Sequence, residues 1–217
     1  LADNSGLASN YSLSSGTFDV TVKNVTLVGR RAYDGTTSVN SSNISSTFTG
    51  LAGSETLTLS GSGSVASKNV AAGQSVTIGS IVIANGTGVA SNYSLTSATL
   101  DITQRPISLS GTRVYDATST ASSSDLTTLT NLVGSETLVL SNSGTVSNAN
   151  VGTDKTVTIG SLSLGDGSNG GLSSNYTLSG GTHTLSVTKR PVTISGSRFY
   201  DGTTTVSASD ISTFNNR

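Results

Sequence analysis

One ten-residue phrase is written three times in this chain: RAYDGTTSVN at residues 31–40, RVYDATSTAS at 113–122 and RFYDGTTTVS at 198–207. Tyr33 and Tyr115 lie 82 residues apart, and Tyr115 and Tyr200 lie 85 apart. A repeat of that period constrains the fold more than any other feature, because every copy must be the same unit and the phrase must do the same work in each. Divided this way, the chain holds the end of one copy (1–22), a complete copy (23–104), a second complete copy (105–189) and the start of another (190–217). Residue 1 falls inside one copy and residue 217 inside another, so the sequence reads as a piece cut from a longer array.

The copies can be compared with one another. All six tyrosines fall at two repeat positions: Tyr33, Tyr115 and Tyr200 in the phrase, and Tyr11, Tyr93 and Tyr176 in SNYSL, SNYSL and SNYTL. Both glutamates coincide, as Glu55 and Glu136 in GSETL. TIGS at 77–80 returns at 158–161, and NV at 69–70 returns at 150–151.

Period-two alternation supplies the strands. Val25 and Leu27 match Ile107 and Leu109, then Val192 and Ile194; Leu57 and Leu59 match Leu138 and Leu140. Val76 and Ile78 match Val157 and Ile159, and Leu100 and Ile102 match Leu185 and Val187. Each set puts one face on a core and Ser or Thr on the other. The spacing predicts six or seven short strands per repeat of about 83 residues, separated by Gly, Asn and Ser turns. SASDIST, with Asp210 as a cap, is the best place for a single helical turn. The expected fold is all-β: tandem, small, antiparallel, β-sandwich-like modules in an extended array. The joints lie near TQRP (103–106) and TKRP (188–191), where proline suits the first residue of a strand or a stiff link.

Composition narrows the function. Charged residues make up 11% of the chain against a usual ~25%, and the deficit is filled by Ser, Thr, Gly and Asn. A net charge of −1 offers no reason to expect nucleic acid or an anionic membrane as partner. No apolar run is long enough to span a bilayer, so no membrane insertion is expected in this segment. With no cysteine, stability must come from packing; the lack suits the cytosol and equally a secreted chain that stays unfolded until it has crossed a membrane.

Within the phrase, strict alternation from Ile107 and Leu109 would turn Gly111, Arg113 and Tyr115 inward. Two arrangements meet the difficulty of a buried arginine. In one, the glycine shared by all copies (Gly29, Gly111, Gly196) makes a bulge that turns Ala32, Val114 and Phe199 to the core and leaves Arg31, Arg113, Arg198 and the tyrosines at an edge. In the other, the tyrosine stays inward under the arginine stem. The bulge is the reading taken forward. Asp34, Asp116 and Asp201 then enter a turn, followed by a positive-φ position held by Gly35, Ala117 and Gly202.

The functional alternatives are weaker. The phrase's aspartates with the Asn43/Asp125/Asp210 position could hold calcium, but two carboxylate positions are too few for its oxygen shell unless carbonyls complete it. Otherwise no cofactor is expected. His183, the one histidine, aligns with Ala98 and reads as surface decoration. Glu55 and Glu136 lack a recurrent carboxylate partner for acid–base work and read as turn markers, and no nucleophile elbow is present; an enzyme is not expected. Lys68 aligns with Ala149, which argues against a side-chain cross-link in every module. DGSNGG (166–171) reads as a flexible insertion, and Asn10, Asn92 and Asn175 as turn residues despite their N-x-S/T context.

R-x-Y-D-G-T-T, then G-S-E-T-L-x-L-S, then N-V followed by V-T-I-G-S, then S-N-Y-x-L closing on T-K-R-P resembles the YDG-type repeat of large bacterial adhesins of the filamentous haemagglutinin type. The resemblance covers the whole chain, with Ala117 for Gly and Asn24 for Pro as departures. It implies a surface protein of a Gram-negative bacterium, exported by two-partner secretion and acting in attachment or biofilm formation. Such repeats serve as a stalk carrying a binding tip on the rest of a larger adhesin, outside the cell. It carries over no catalytic residue. Recognition of host or matrix glycans by exposed tyrosines, and homotypic adhesion through strand edges, are the alternatives.

Overall fold

The structure, a computed structural model, describes residues 5–41 and 45–216. The first complete repeat contributes β1 (Lys23–Ala32), β2 (Ser38–Asn40), β3 (Ser45–Thr49), β4 (Leu57–Ser60), β5 (Ser62–Val65), β6 (Ala71–Thr77), β7 (Val82–Asn85) and β8 (Tyr93–Thr103). The second contributes β9 (Arg105–Pro106), β10 (Ser108–Val114), β11 (Thr120–Ser122), β12 (Thr128–Thr130), β13 (Leu138–Ser141), β14 (Ser143–Val146), β15 (Gly152–Thr158), β16 (Ser163–Asp166), β17 (Tyr176–Thr177) and β18 (His183–Thr188). β19 (Thr193–Gly196) and β20 (Ile211–Asn215) open the next copy. The protein is all-β and built of tandem modules, with single 3₁₀ turns as its helical content among the described residues.

Each complete repeat has a six-stranded sheet, in the orders β2-β5-β6-β8-β1-β3 and β11-β14-β15-β18-β10-β12, and a two-stranded ribbon, β4-β7 or β13-β16. Same-position strands therefore pair in the same way in both copies. Most described pairs are antiparallel. β10 and β18 depart from that expectation, running parallel from Leu109↔His183 to Val114↔Thr188, and the short β9–β17 pair is parallel as well.

By contacts the chain forms two compact units. One gathers the described residues up to Gly29 with Ser38–Ser64 and Ser75–Thr99; the other gathers Arg30–Thr37, Val65–Gln74 and the chain from Leu100 on. In the first, Val25, Leu57 and Tyr93 form a buried cluster against Phe48, Leu51, Ile83 and Leu95. In the second, Ile107, Leu109, Leu126, Leu185 and Val187 are buried almost completely. These are the alternating apolar positions of the sequence, each turned inward by the pleat.

The bulge is corrected by the structure. β10 keeps a continuous register against β18 through Gly111 and Arg113, and inward residues alternate without interruption: Leu109 and Arg113 buried, Val114 half exposed. β1 does the same, with Leu27, Arg31 and Tyr33 buried and Ala32 exposed. Phe199 lies exposed too, so none of Ala32, Val114 and Phe199 enters a core. The glycine serves another purpose. A Cβ on Gly111 would stand 1.7 Å from the Asp125 carbonyl oxygen, and one on Gly196 would stand 1.9 Å from that of Asp210. The position is glycine because a neighbouring backbone passes directly over it.

His183 is also corrected. It is buried, as Ala98 is at the equivalent place, and its Nε2 lies 2.8 Å from the Leu178 carbonyl oxygen. The helical turn after the phrase forms at Ala208–Asp210, but Ser207 is its cap; Asp210 sits at the third position and reaches back to the Ser207 N–H, completing a capping box.

Candidate functional site

The repeated phrase folds into a loop tied down by its own arginine. Asp34 accepts the Thr36 N–H and hydroxyl, both at 3.0 Å, and Asp116 and Asp201 accept those of Thr118 and Thr203 in the same way. This Asx turn requires the left-handed residue that follows: φ is +78° at Gly35, +66° at Ala117 and +77° at Gly202. The backbone N–H of the threonine is the main cause holding the Asp116 and Asp201 carboxyls below their ordinary range.

The arginine side chain then closes the loop. Arg31 donates to the Thr36 carbonyl at 2.6 Å and pairs with Asp34 at 3.2 Å. Arg113 donates to the Thr118 and Thr120 carbonyls and to the Thr118 hydroxyl, and lies 3.4 Å from Asp116 and 3.9 Å from Asp125. Arg198 repeats the pattern on Thr203, Thr205 and Asp201 in a more exposed setting. Burial of Arg31 and Arg113 is tolerated because backbone carbonyls replace the water around the guanidinium. The same geometry bears on calcium: between Asp116 and Asp125, where the cation would sit, stands the Arg113 guanidinium. Asn43 of that reading lies outside the described residues.

The tyrosines part company. Tyr33 is 0% exposed, whereas Tyr115 is half-buried and Tyr200 is 96% exposed. Tyr176 and Tyr93 are buried, and Tyr11 is exposed. What encloses Tyr33 is the following repeat, within the second compact unit. Its hydroxyl donates to Glu136 Oε1 at 2.7 Å, and the Tyr176 hydroxyl donates to Oε2 of the same carboxylate at 2.6 Å. The two rings meet edge to face, 5.4 Å between centroids at 79°. Lys68 Nζ pairs with Glu136 at 3.2 Å and lies 5.9 Å from the Tyr33 ring centroid. Tyr176 accepts the Val133 N–H at 3.0 Å, and Arg105 donates to the Tyr33 carbonyl at 3.3 Å.

Glu136 is thus buried with three donors on two oxygens. Burial pushes its carboxyl up, but the Tyr176 and Tyr33 hydroxyls and the Lys68 ammonium outweigh that and hold it below its ordinary value. Burial first, and the hydrogen bond to Glu136 second, raise the Tyr33 and Tyr176 phenols. Beside this cluster Asn175, fully buried, accepts the Val70 N–H at 2.9 Å and donates to Asn69 Oδ1 at 3.0 Å. The YD and NV motifs of one repeat therefore grip the GSE and SNY motifs of the next.

In the first compact unit the pair inside a repeat recurs: Tyr93 donates to Glu55 and accepts the Ala52 N–H at 3.1 Å. Glu55 and Glu136 do stand in turns, their N–H groups bonded to Ala52 and Val133 carbonyls, but their carboxylates serve as tyrosine acceptors, a role not read from the sequence. The signal was the strict coincidence of the two glutamates with the second tyrosine position. Lys68 and the Asn69–Asn175 contact were missed for a similar reason, since their partners lie in another copy. Asn10, Asn92 and Asn175 each end a 3₁₀ turn just before a tyrosine. DGSNGG closes on itself and on Thr137 through the Gly167–Gly171 and Thr137–Ser168 bonds.

Among the described residues no group of three or more His, Asp or Glu side chains is placed to hold a metal ion. The arrangement can join, stiffen and bury; its polar groups are taken up by one another.

No curated protein and no solved structure matches the chain. The YDG domain family does, twice in tandem, over residues 19–100 and 101–185. Those matches span well over half of the sequence, and the chain belongs to the YDG domain family.

Proposed function

We propose that this chain is a stalk segment of a secreted bacterial adhesin of the filamentous haemagglutinin type, exported by two-partner secretion, which holds a binding tip away from the cell in attachment or biofilm formation. The observation that carries the reading is the junction at Tyr33. The residues that recur most strictly are turned toward one another across two repeats, where they join the array and present nothing to a ligand. Length then scales with copy number, and each joint is held by a carboxylate shared between two tyrosines. The low charge and the Ser, Thr and Asn surface keep such a segment hydrated in an extracellular setting without attracting nucleic acid.

The test is binding of the purified chain to a panel of glycans and bacterial polysaccharides beside a Tyr115→Phe, Tyr200→Phe variant. A stalk binds none of them saturably at high concentration. Saturable binding that the variant loses would overturn the stalk and make each repeat a low-affinity adhesive unit.

A further inference from the structure

Residues 11–22 join no strand, yet they carry the pattern of one. Aligned on the tyrosines, Tyr11, Leu13, Phe18 and Val20 stand where Tyr176, Leu178, Leu185 and Val187 stand in the second repeat. There those residues are buried; here Leu13 is 80%, Phe18 90% and Val20 87% exposed. The last strand of a repeat is present without the first strand it normally lies against.

The complementary half is also present. β19 is the counterpart of β10, with Ile194 for Leu109, Gly196 for Gly111 and Arg198 for Arg113. β10 has β12 on one side and β18 on the other; β19 has β20 alone. The open edge leaves Val192 and Ile194 more than half exposed. Next to it a cleft of about 520 Å³ is lined by Tyr115, Asn150, Val151, Arg190 and Val192. Tyr115, Asn150, Val151 and Arg190 are the counterparts of Tyr33, Asn69, Val70 and Arg105, which grip Tyr176 and Asn175 in the complete junction.

We infer that residues 10–21 of one copy of this chain dock on a second copy, Asn10 and Tyr11 entering the Tyr115 cleft and Gly16–Thr21 adding a parallel strand to the open edge of β19. The occupant is a second copy because the segment and the edge are the two halves of a pairing the protein already makes in both of its complete repeats. That pairing also sets the register. By the β10–β18 template Ile194 faces Gly16, Ser197 faces Asp19 and Phe199 faces Thr21. The Tyr200 N–H would then donate to the Thr21 carbonyl, as that of Tyr115 does to Thr188 and that of Tyr33 to Thr103. Backbone bonds along the edge give affinity, and the alternate apolar side chains give specificity. The contact uses different surfaces on the two partners and does not close on itself, so association proceeds head to tail. It stands independently of the stalk reading.

Analytical ultracentrifugation over a concentration series tests it. The wild-type chain passes from monomer to dimer and longer species, and Val20→Pro, which alters an exposed residue and blocks an added strand, stays monomeric. Register is read in a chain that has no cysteine of its own: Asp19→Cys and Ser197→Cys variants, mixed and oxidised, form a heterodimeric disulfide, whereas Asp19→Cys mixed with Thr193→Cys does not. A chain monomeric at every concentration, association untouched by Val20→Pro, or equal cross-linking of both pairs would overturn the inference.

Discussion

Replacing Glu136 by glutamine tests the junction most directly, because the side chain keeps its size and loses only its charge. In the folded chain the carboxylate accepts two buried phenol hydroxyls, at 2.7 and 2.6 Å, and the Lys68 ammonium at 3.2 Å. Hydrogen bonds to a charged acceptor contribute about 1.5–3 kcal/mol each and neutral ones about 0.5–1.5, so neutralising the acceptor loses roughly 1 kcal/mol per hydroxyl. The Lys68 side chain is 40% exposed, so its share is screened and small. Glu136→Gln is therefore expected to cost about 2 kcal/mol, read as a lower urea midpoint near neutral pH. The pH dependence gives an independent check. Glu136 titrates lower in the folded chain than its ordinary 4.5, so its contribution is present above that value and is lost as pH falls through the folded value. The gap between wild type and Glu136→Gln should close in acid. Equal midpoints at neutral pH, or a gap that persists in acid, would refute the account of the junction.

Three further outcomes follow from the geometry. Tyr33 and Tyr176 titrate above their ordinary 10.0, so the stability they supply is complete below that pH and is lost as pH rises beyond it; alkaline melts should fall more steeply for wild type than for a Tyr33→Phe, Tyr176→Phe variant. Gly111→Ala should cost about 2–3 kcal/mol by forcing the Asp125 backbone away, while Gly134→Ala, at φ +54° with open space around it, should cost only about 1 kcal/mol. Ala117→Gly should stabilise by about 0.5–1 kcal/mol, since alanine there holds φ at +66°, and a denaturant melt of this variant measures it directly.

The sequence carried the strands well because alternation in copy after copy marks which side of each strand is wet. It failed where the partner of a residue is backbone or lies in another copy. Arg113 was turned outward on the ground that a buried guanidinium needs a partner; its partners are the carbonyls of the loop it begins, which composition does not display. Gly111 is compatible with a bulge and with a close crossing, and only the path of residues 125 and 126 decides between them. Tyr33 and Glu136 are 103 residues apart, so their coincidence in the repeat was visible while their contact was not. His183 misled because a lone polar residue is judged by its chemistry, whereas here it fills the buried place of Ala98 and finds a carbonyl.

The parallel pairing of β10 with β18 has a mechanical consequence. These are the first long strand and the last strand of the second repeat, and they lie side by side over six residue pairs. Because they point the same way, the chain enters at one end of the pair and leaves at the other. Tension drawn through the repeat along the strands then loads every rung of that ladder in shear at once. Antiparallel first and last strands would place both attachment points at one end, where the rungs would tear singly like a zip. Resistance to pulling is governed by the unfolding rate rather than by equilibrium stability. A repeat of only modest thermodynamic stability wired in this way can therefore hold under load, and the force needed to break it should drop sharply when a proline interrupts β18.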